Sequence, residues 1–264
     1  QPYSKRTRAM LQSKTDNPLD GLHLETYVRA DADGVASCAA GLLAARCAEA
    51  VSRRGVFTLA LSGGSTPLTL FRLLRTEAWA ARVDWAHTRV FWVDERCVPP
   101  EDSDSNYGMM RSLLLGIVPI PYENVYRIRG EEKPAKEAAR YSELVSRQVP
   151  KKNGWPEFDI VLLGAGDDGH TSSIFPGQEA LLSSDQIYVT STHPRNGQKR
   201  IAMTGFPILT ARLVIFLITG KAKAEVVEEI CHSGDTGPAA YIAHHAENVE
   251  LFMDAGAAMY VRND

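Results

Sequence analysis

The sequence predicts an α/β fold whose mainly parallel sheet is covered by helices on both faces. Three observations carry that expectation. Short, unbroken apolar runs recur along the chain at 56–61 (VFTLAL), 89–93 (RVFWV), 158–163 (FDIVLL) and 213–218 (LVIFLI). Segments of helical period separate them, and glycine-rich or charged loops follow them. Strands buried on both faces read as continuous apolar runs, whereas half-exposed strands alternate. Ligands of such sheets sit at the carboxyl ends of the strands, where these loops fall.

In chain order, 33–54 reads as a helix with Val35, Cys38, Ala39, Leu42 and Ala45 on one face and Gly55 as its stop. The strand 56–61 leads to the break Ser62-Gly63-Gly64-Ser65-Thr66-Pro67 and a helix over 68–74. The strand 89–93 ends at Asp94-Glu95-Arg96, followed by a surface loop at 99–107. A long helix is expected over 135–149. The strand 158–163 runs into Gly164-Ala165-Gly166-Asp167-Asp168-Gly169-His170, and 213–218 into Thr219-Gly220 and a helix over 221–230. A last strand, 249–253, and an Ala-rich segment close the chain. Without an internal repeat or low-complexity linker, the expectation is a flexible tail over 1–20 and a single domain over 21–264.

The 29 basic and 32 acidic residues give a formal net charge of −3. That balance gives no electrostatic reason to expect nucleic acid. An anionic substrate would need a positive pocket assembled locally. The four cysteines, Cys38, Cys47, Cys97 and Cys231, form no C-x-x-C pair and read as reduced thiols of a cytoplasmic protein. No stretch approaches the roughly 20 apolar residues of a membrane span, and 1–17 lacks the apolar run of a secretory signal.

Four loops could carry chemistry. In Ser62-Gly63-Gly64-Ser65-Thr66-Pro67 the glycines let backbone approach a ligand, and the amides opening the next helix suit a phosphate. It is not a Walker loop, and taken alone it reads more readily as a plain tight strand-to-helix turn. Asp94-Glu95-Arg96, followed by Asp104-Ser105-Asn106-Tyr107, places a carboxylate at a strand end, where an acid, a base or an ordinary solvated turn would all fit. In the third loop the imidazole of His170 follows the Asp168 carboxylate by two positions, amid Gly164, Gly166 and Gly169. A histidine can take a proton at neutral pH, and a nearby carboxylate can fix its tautomer. Metal ligation lacks companion histidine spacing. The same glycines match G-x-G-x-x-G, yet Asp167-Asp168 would repel a pyrophosphate and Pro176-Gly177 interrupts the required helix. The fourth feature is a set of cations, Lys199, Arg200, Lys221 and Lys223. Lysines opening a helix oppose its dipole unless an anion binds there.

Together SGGSTP at 62–67, VDER at 93–96, DSNY at 104–107, LLGAGDDGHTSSIFPG at 162–177, KRIAMT at 199–204 and FLITGKAKAEVV at 216–227 resemble the 6-phosphogluconolactonase family. The resemblance implies a Rossmann-like three-layer α/β/α sandwich, shared with glucosamine-6-phosphate deaminases. It further implies His170 as general base with Asp168 orienting it. Gly63, Gly64, Ser65, Thr66, Arg200 and Lys223 would form the phosphate site, with Asp94 and Arg96 beside the sugar. The expected partner is a small phospho-sugar lactone, with no cofactor, metal, nucleic acid or membrane, in a monomer or weak homodimer. Deaminases of this pattern place a carboxylate soon after the DGH triplet. Here Thr171-Ser172-Ser173-Ile174-Phe175 has none, which favours the lactonase over the deaminase; a non-catalytic phospho-sugar sensor is disfavoured because the first 30 residues show no helix-turn-helix pattern.

Overall fold

The computed structural model describes residues 24–64, 66–232 and 236–261. The expected tail over 1–20 and the candidate Ser65 lie outside the described residues. Strand β1 (Leu24–Arg29) leads into helix α1 (Ala32–Arg54). Asp31 caps that helix by accepting from the Gly34 amide at 2.8 Å. At the far end Gly55 takes φ 73, a left-handed conformation that glycine adopts without steric cost, and its amide donates to the Val51 carbonyl at 2.8 Å.

The central elements are β2 (Phe57–Leu61), α2 (Thr66–Leu74), β3 (Thr88–Trp92), β4 (Asp94–Arg96), α3 (Asn106–Met110), α4 (Pro134–Gln148) and β5 (Ile160–Leu163). These are followed by β6 (Tyr188–Thr192), β7 (Lys199–Met203), α5 (Gly205–Leu209), β8 (Val214–Ile218), α6 (Ala224–His232), α7 (Pro238–His245) and β9 (Val249–Asp254), with shorter helical turns and one two-stranded hairpin between the named elements. Six strands form one sheet in the order β1-β9-β8-β5-β2-β3, every neighbouring pair parallel. Every residue of β2, β5 and β8 is buried, as their unbroken apolar runs require. Together with helices on the sheet this is the expected three-layer α/β/α architecture.

The foot of the sheet is tied by Asp159, just before β5. Its carboxylate accepts from the Thr58 amide (2.8 Å) and hydroxyl (3.0 Å) of β2, and from Arg54 (2.5 Å) at the end of α1.

Three features differ from the sequence expectation. A second, antiparallel sheet, β4-β7-β6, joins the parallel one. The expected helix at 221–230 begins as a 3₁₀ turn, Lys221–Lys223, before α6. Helix α1 does contain a window of mean hydropathy 1.3, long and apolar enough by composition to cross a membrane. Its Val35, Ala39, Leu42, Leu43 and Cys47 are buried in the protein core instead, which accounts for its apolarity.

Candidate active site

The loops after β2, β5 and β8 converge on one cavity of about 190 Å3, lined in part by Gly63, Gly64, Asp94, Arg96, His170, Arg200 and Lys223. Of the candidate residues, these seven share the cleft. Asp168 stands behind His170. Ser65 and the Thr66 side chain lie outside the described residues.

The loop after β5 is folded on itself. The Gly166 amide donates to the His170 carbonyl (2.8 Å), and the Gly169 amide to the Gly166 carbonyl (3.0 Å), with Gly169 at φ 81. Asp168 Oδ1 lies 2.6 Å from His170 Nδ1 and accepts the His170 backbone amide at 3.2 Å. Burial opposes charge on Asp168, but the His170 ring and the backbone amide outweigh it and hold the carboxyl below its usual range. An ionised carboxylate only accepts, so Nδ1 carries the proton and Nε2 is the nitrogen left to accept one. Gly166 is the residue this contact needs: a Cβ there would lie 2.1 Å from His170 Nδ1 and 2.6 Å from Asp168 Oδ1. Phe175 packs against the imidazole at 4.7 Å between centroids.

Ser172 and Ser173 follow with φ 52 and 54, a pair of left-handed residues that is costly without glycine. Both hydroxyls hold the strained turn. Ser172 donates to the Met203 carbonyl at 2.8 Å, and Ser173 to the Asp94 carboxylate. Asp94 is thereby fixed at the cavity wall.

Antiparallel pairing of β4 with β7 places Arg96 opposite Arg200. The Arg96 guanidinium donates to the Asp104 carbonyl at 2.5 Å, but the Nε atoms of Arg96 and Arg200 are buried without partners. Burial first, and the Arg96 charge second, push the Arg200 guanidinium below its ordinary pKa. Two crowded guanidinium groups with unmet donors favour an anion. Lys223 Nζ donates to the Ala165 carbonyl (2.9 Å) and pairs with Asp167 (2.5 Å).

Glu95 has a structural part. Buried beneath the cleft, it accepts from the amides of Arg96, Asn106 and Tyr107 at 2.7–2.8 Å and from the Ser105 hydroxyl at 3.1 Å. Burial raises its pKa while those amides act against the rise. The residue so placed, Asn106, is one that sequence reasoning quoted without a role. Its Nδ2 donates to the Asp94 carbonyl at 2.9 Å and its Oδ1 is buried and unpartnered. It packs so closely on the glycine turn that a Cβ at Gly63 would come within 1.9 Å of Oδ1. Ser173 and Phe175 were likewise missed as supports. Among the described residues, no group of three or more His, Cys, Asp or Glu side chains is placed to hold a metal ion.

A parallel α/β sheet with a carboxylate-held imidazole and a cationic pocket at its strand ends defines a class: an enzyme for a small anionic substrate. Residues 30–251 match the family described as glucosamine-6-phosphate isomerases/6-phosphogluconolactonase. The chain is 41% identical to the 6-phosphogluconolactonase of Treponema pallidum over 191 residues, 72% of this chain and 77% of that protein. Its fold superposes on the crystal structure of the devB protein with TM-score 0.83 at 36% identity, covering 90% of this chain and all of that one. The 6-phosphogluconolactonase of Trypanosoma brucei matches with TM-score 0.80 at 29% identity, over 90% of this chain and 98% of that one. The chain belongs to the glucosamine-6-phosphate isomerase/6-phosphogluconolactonase family.

Proposed function

We propose that this chain hydrolyses 6-phospho-D-glucono-1,5-lactone to 6-phosphogluconate, the lactone step of the oxidative pentose phosphate pathway. The observation that carries the proposal is the meeting of the Asp168–His170 pair with the Gly63–Gly64 turn and Arg200 in one cavity. The relatives carrying the 6-phosphogluconolactonase name support the same activity.

In this reading the 6-phosphate is held by backbone amides of the 63–66 turn at the start of α2, with Arg200 and Lys223. That grip fixes the sugar and brings its lactone carbonyl beside His170, using binding energy for orientation. His170 Nε2 takes a proton from water as the water oxygen attacks the carbonyl carbon. The resulting imidazolium, stabilised by Asp168, returns a proton to the ring oxygen as the C–O bond breaks. Such general-base help contributes about 10²- to 10⁴-fold. Asp94 and Arg96, which line the same cavity, would offer the sugar hydroxyls an acceptor and a donor. The stretch Thr171-Ser172-Ser173-Ile174-Phe175-Pro176-Gly177 that follows the DGH triplet carries no carboxylate to assist the ring opening of deamination, which supports lactone hydrolysis. Four unpaired cysteines support a cytoplasmic setting, and we extend the proposal to a single domain, acting as a monomer or weak homodimer.

The test is to supply both substrates to the purified chain. Acid release from the phosphorylated lactone above its spontaneous rate, with no ammonia from glucosamine 6-phosphate, is expected. Ammonia release with no lactonase activity would reverse the assignment.

A further inference from the structure

The sequence leaves an oddity at Lys221 and Lys223, two cations at the start of a helix, where the dipole opposes positive charge. In the structure the Lys223 ammonium turns back over the catalytic loop. It meets the Asp167 carboxylate at 2.5 Å and the Ala165 carbonyl at 2.9 Å. The two partners differ in setting: the Lys223 side chain is 24% exposed and lines the cavity, whereas Asp167 is 70% exposed. The anion that neutralises Lys223 is therefore an exposed surface carboxylate, immediately before the Asp168 that pairs with His170.

We infer that Asp167 is an internal competitor of the substrate phosphate, occupying the Lys223 ammonium until a phosphate oxygen replaces its carboxylate. This rests on the reading of Lys223 as part of the phosphate site. Hydrolysis turns a neutral lactone into a carboxylate, so the product carries one more negative charge than the substrate. A cleft already holding Arg96 and Arg200 with unmet donors would retain that product strongly. A carboxylate returning to Lys223 weakens the hold and favours release. The exchange costs little because the pair is partly solvated, and surface ion pairs are weak. Removing the competitor should tighten anion binding by about two- to fivefold, the affinity change that corresponds to a weak surface pair.

The experiment is titration calorimetry of the full chain with inorganic phosphate at low salt. Wild type would be compared with Asp167→Asn, Lys223→Met and the double variant, and each melting temperature recorded. Asp167→Asn is expected to bind phosphate about two- to fivefold more tightly, with the gain shrinking as salt screens the charges. Lys223→Met should bind more weakly, and in its background Asp167→Asn should give no gain. A purely structural ion pair predicts the opposite sign, because losing it would loosen the loop and weaken binding. If Lys223→Met weakens binding but Asp167→Asn does not tighten it, the competitor role is overturned and the phosphate site stands. If Lys223→Met binds phosphate as wild type does, the assignment of Lys223 itself fails and the inference with it. Asp167→Ala provides the check against a new amide contact and should tighten binding as Asn does.

Discussion

Gly166 leaves room for the imidazole, and this fixes how closely Asp168 and His170 can approach. A methyl group there would overlap the ring and the carboxylate together. Gly166→Ala is expected to lower kcat by about 10²-fold, the usual effect of moving a reacting group by an ångström or so. The melting temperature should change far less; steady-state kinetics and thermal denaturation together check this, and a wild-type kcat would count against the packing argument. The sequence made the spacing of Gly164, Gly166 and Gly169 visible as a G-x-G-x-x-G match that its carboxylates argue against, but which side chain folds over Gly166 depends on the closed turn. The left-handed pair Ser172–Ser173 was illegible for a related reason. Serine has no intrinsic preference for that conformation, which is held by Asp94 and Met203, distant in the chain.

A second residue couples stability to pH. Glu250 of β9 is buried, lies in register with Glu25 of β1, and has Arg46 at 3.9 Å. Burial raises its pKa to about 7, Arg46 opposing the rise and Glu25 adding to it. An unfolded glutamate titrates near ~4.3. Between that value and about 7 the folded chain keeps a proton that the unfolded chain releases, so stability falls as pH rises through this window. Glu250→Gln should therefore melt several degrees above wild type at pH 8, and the advantage should fade toward pH 4. Melting curves across that range measure it, and a gap independent of pH would contradict it. Asp168 has the opposite sign: its lowered pKa contributes stability above the unfolded value near ~3.9, lost as pH falls through the folded one.

Among the elements, the strands of the parallel sheet were legible because burial on both faces leaves an unbroken apolar run. The small antiparallel sheet was not. β4 is three residues long, and β6 reads YVTST, with only Tyr188 and Ser191 buried. Its function is nonetheless direct, since it carries Asp94, Arg96 and Arg200 to the cleft. At the opposite end of the parallel sheet, Asp159 binds α1, β2 and β5 into one unit. Asp159→Ala would leave the buried Thr58 amide and hydroxyl without that acceptor and Arg54 without its partner. A loss of about 3–5 kcal/mol of stability is expected, read by urea denaturation, with kcat of the folded fraction unchanged. A loss below the scale of an ordinary surface pair would show that the tie contributes little.

For the molecule as a whole, the strand order sets the site. After β2 the chain passes outward to β3, and after β5 it passes the other way to β8, so the two connections diverge from adjacent strands. A crevice opens at such a switch point, and the glycine turn and the His170 loop are its two lips. A chain of net charge −3 thereby assembles a local cationic pocket, as the sequence analysis required. Which loops would meet was legible from their places after strands; which side chains would support them was not, because Asn106, Phe175 and Ser173 act through contacts that only the folded chain creates.

In the proposed reaction the phosphate grip and the chemistry at His170 are separate tasks of the one cleft. Steady-state hydrolysis of freshly made 6-phosphogluconolactone by His170→Ala, corrected for spontaneous opening, tests this separation most directly. The value of kcat is expected to fall by about 10²- to 10⁴-fold with KM close to wild type. A variant that turns over as fast as wild type would contradict it.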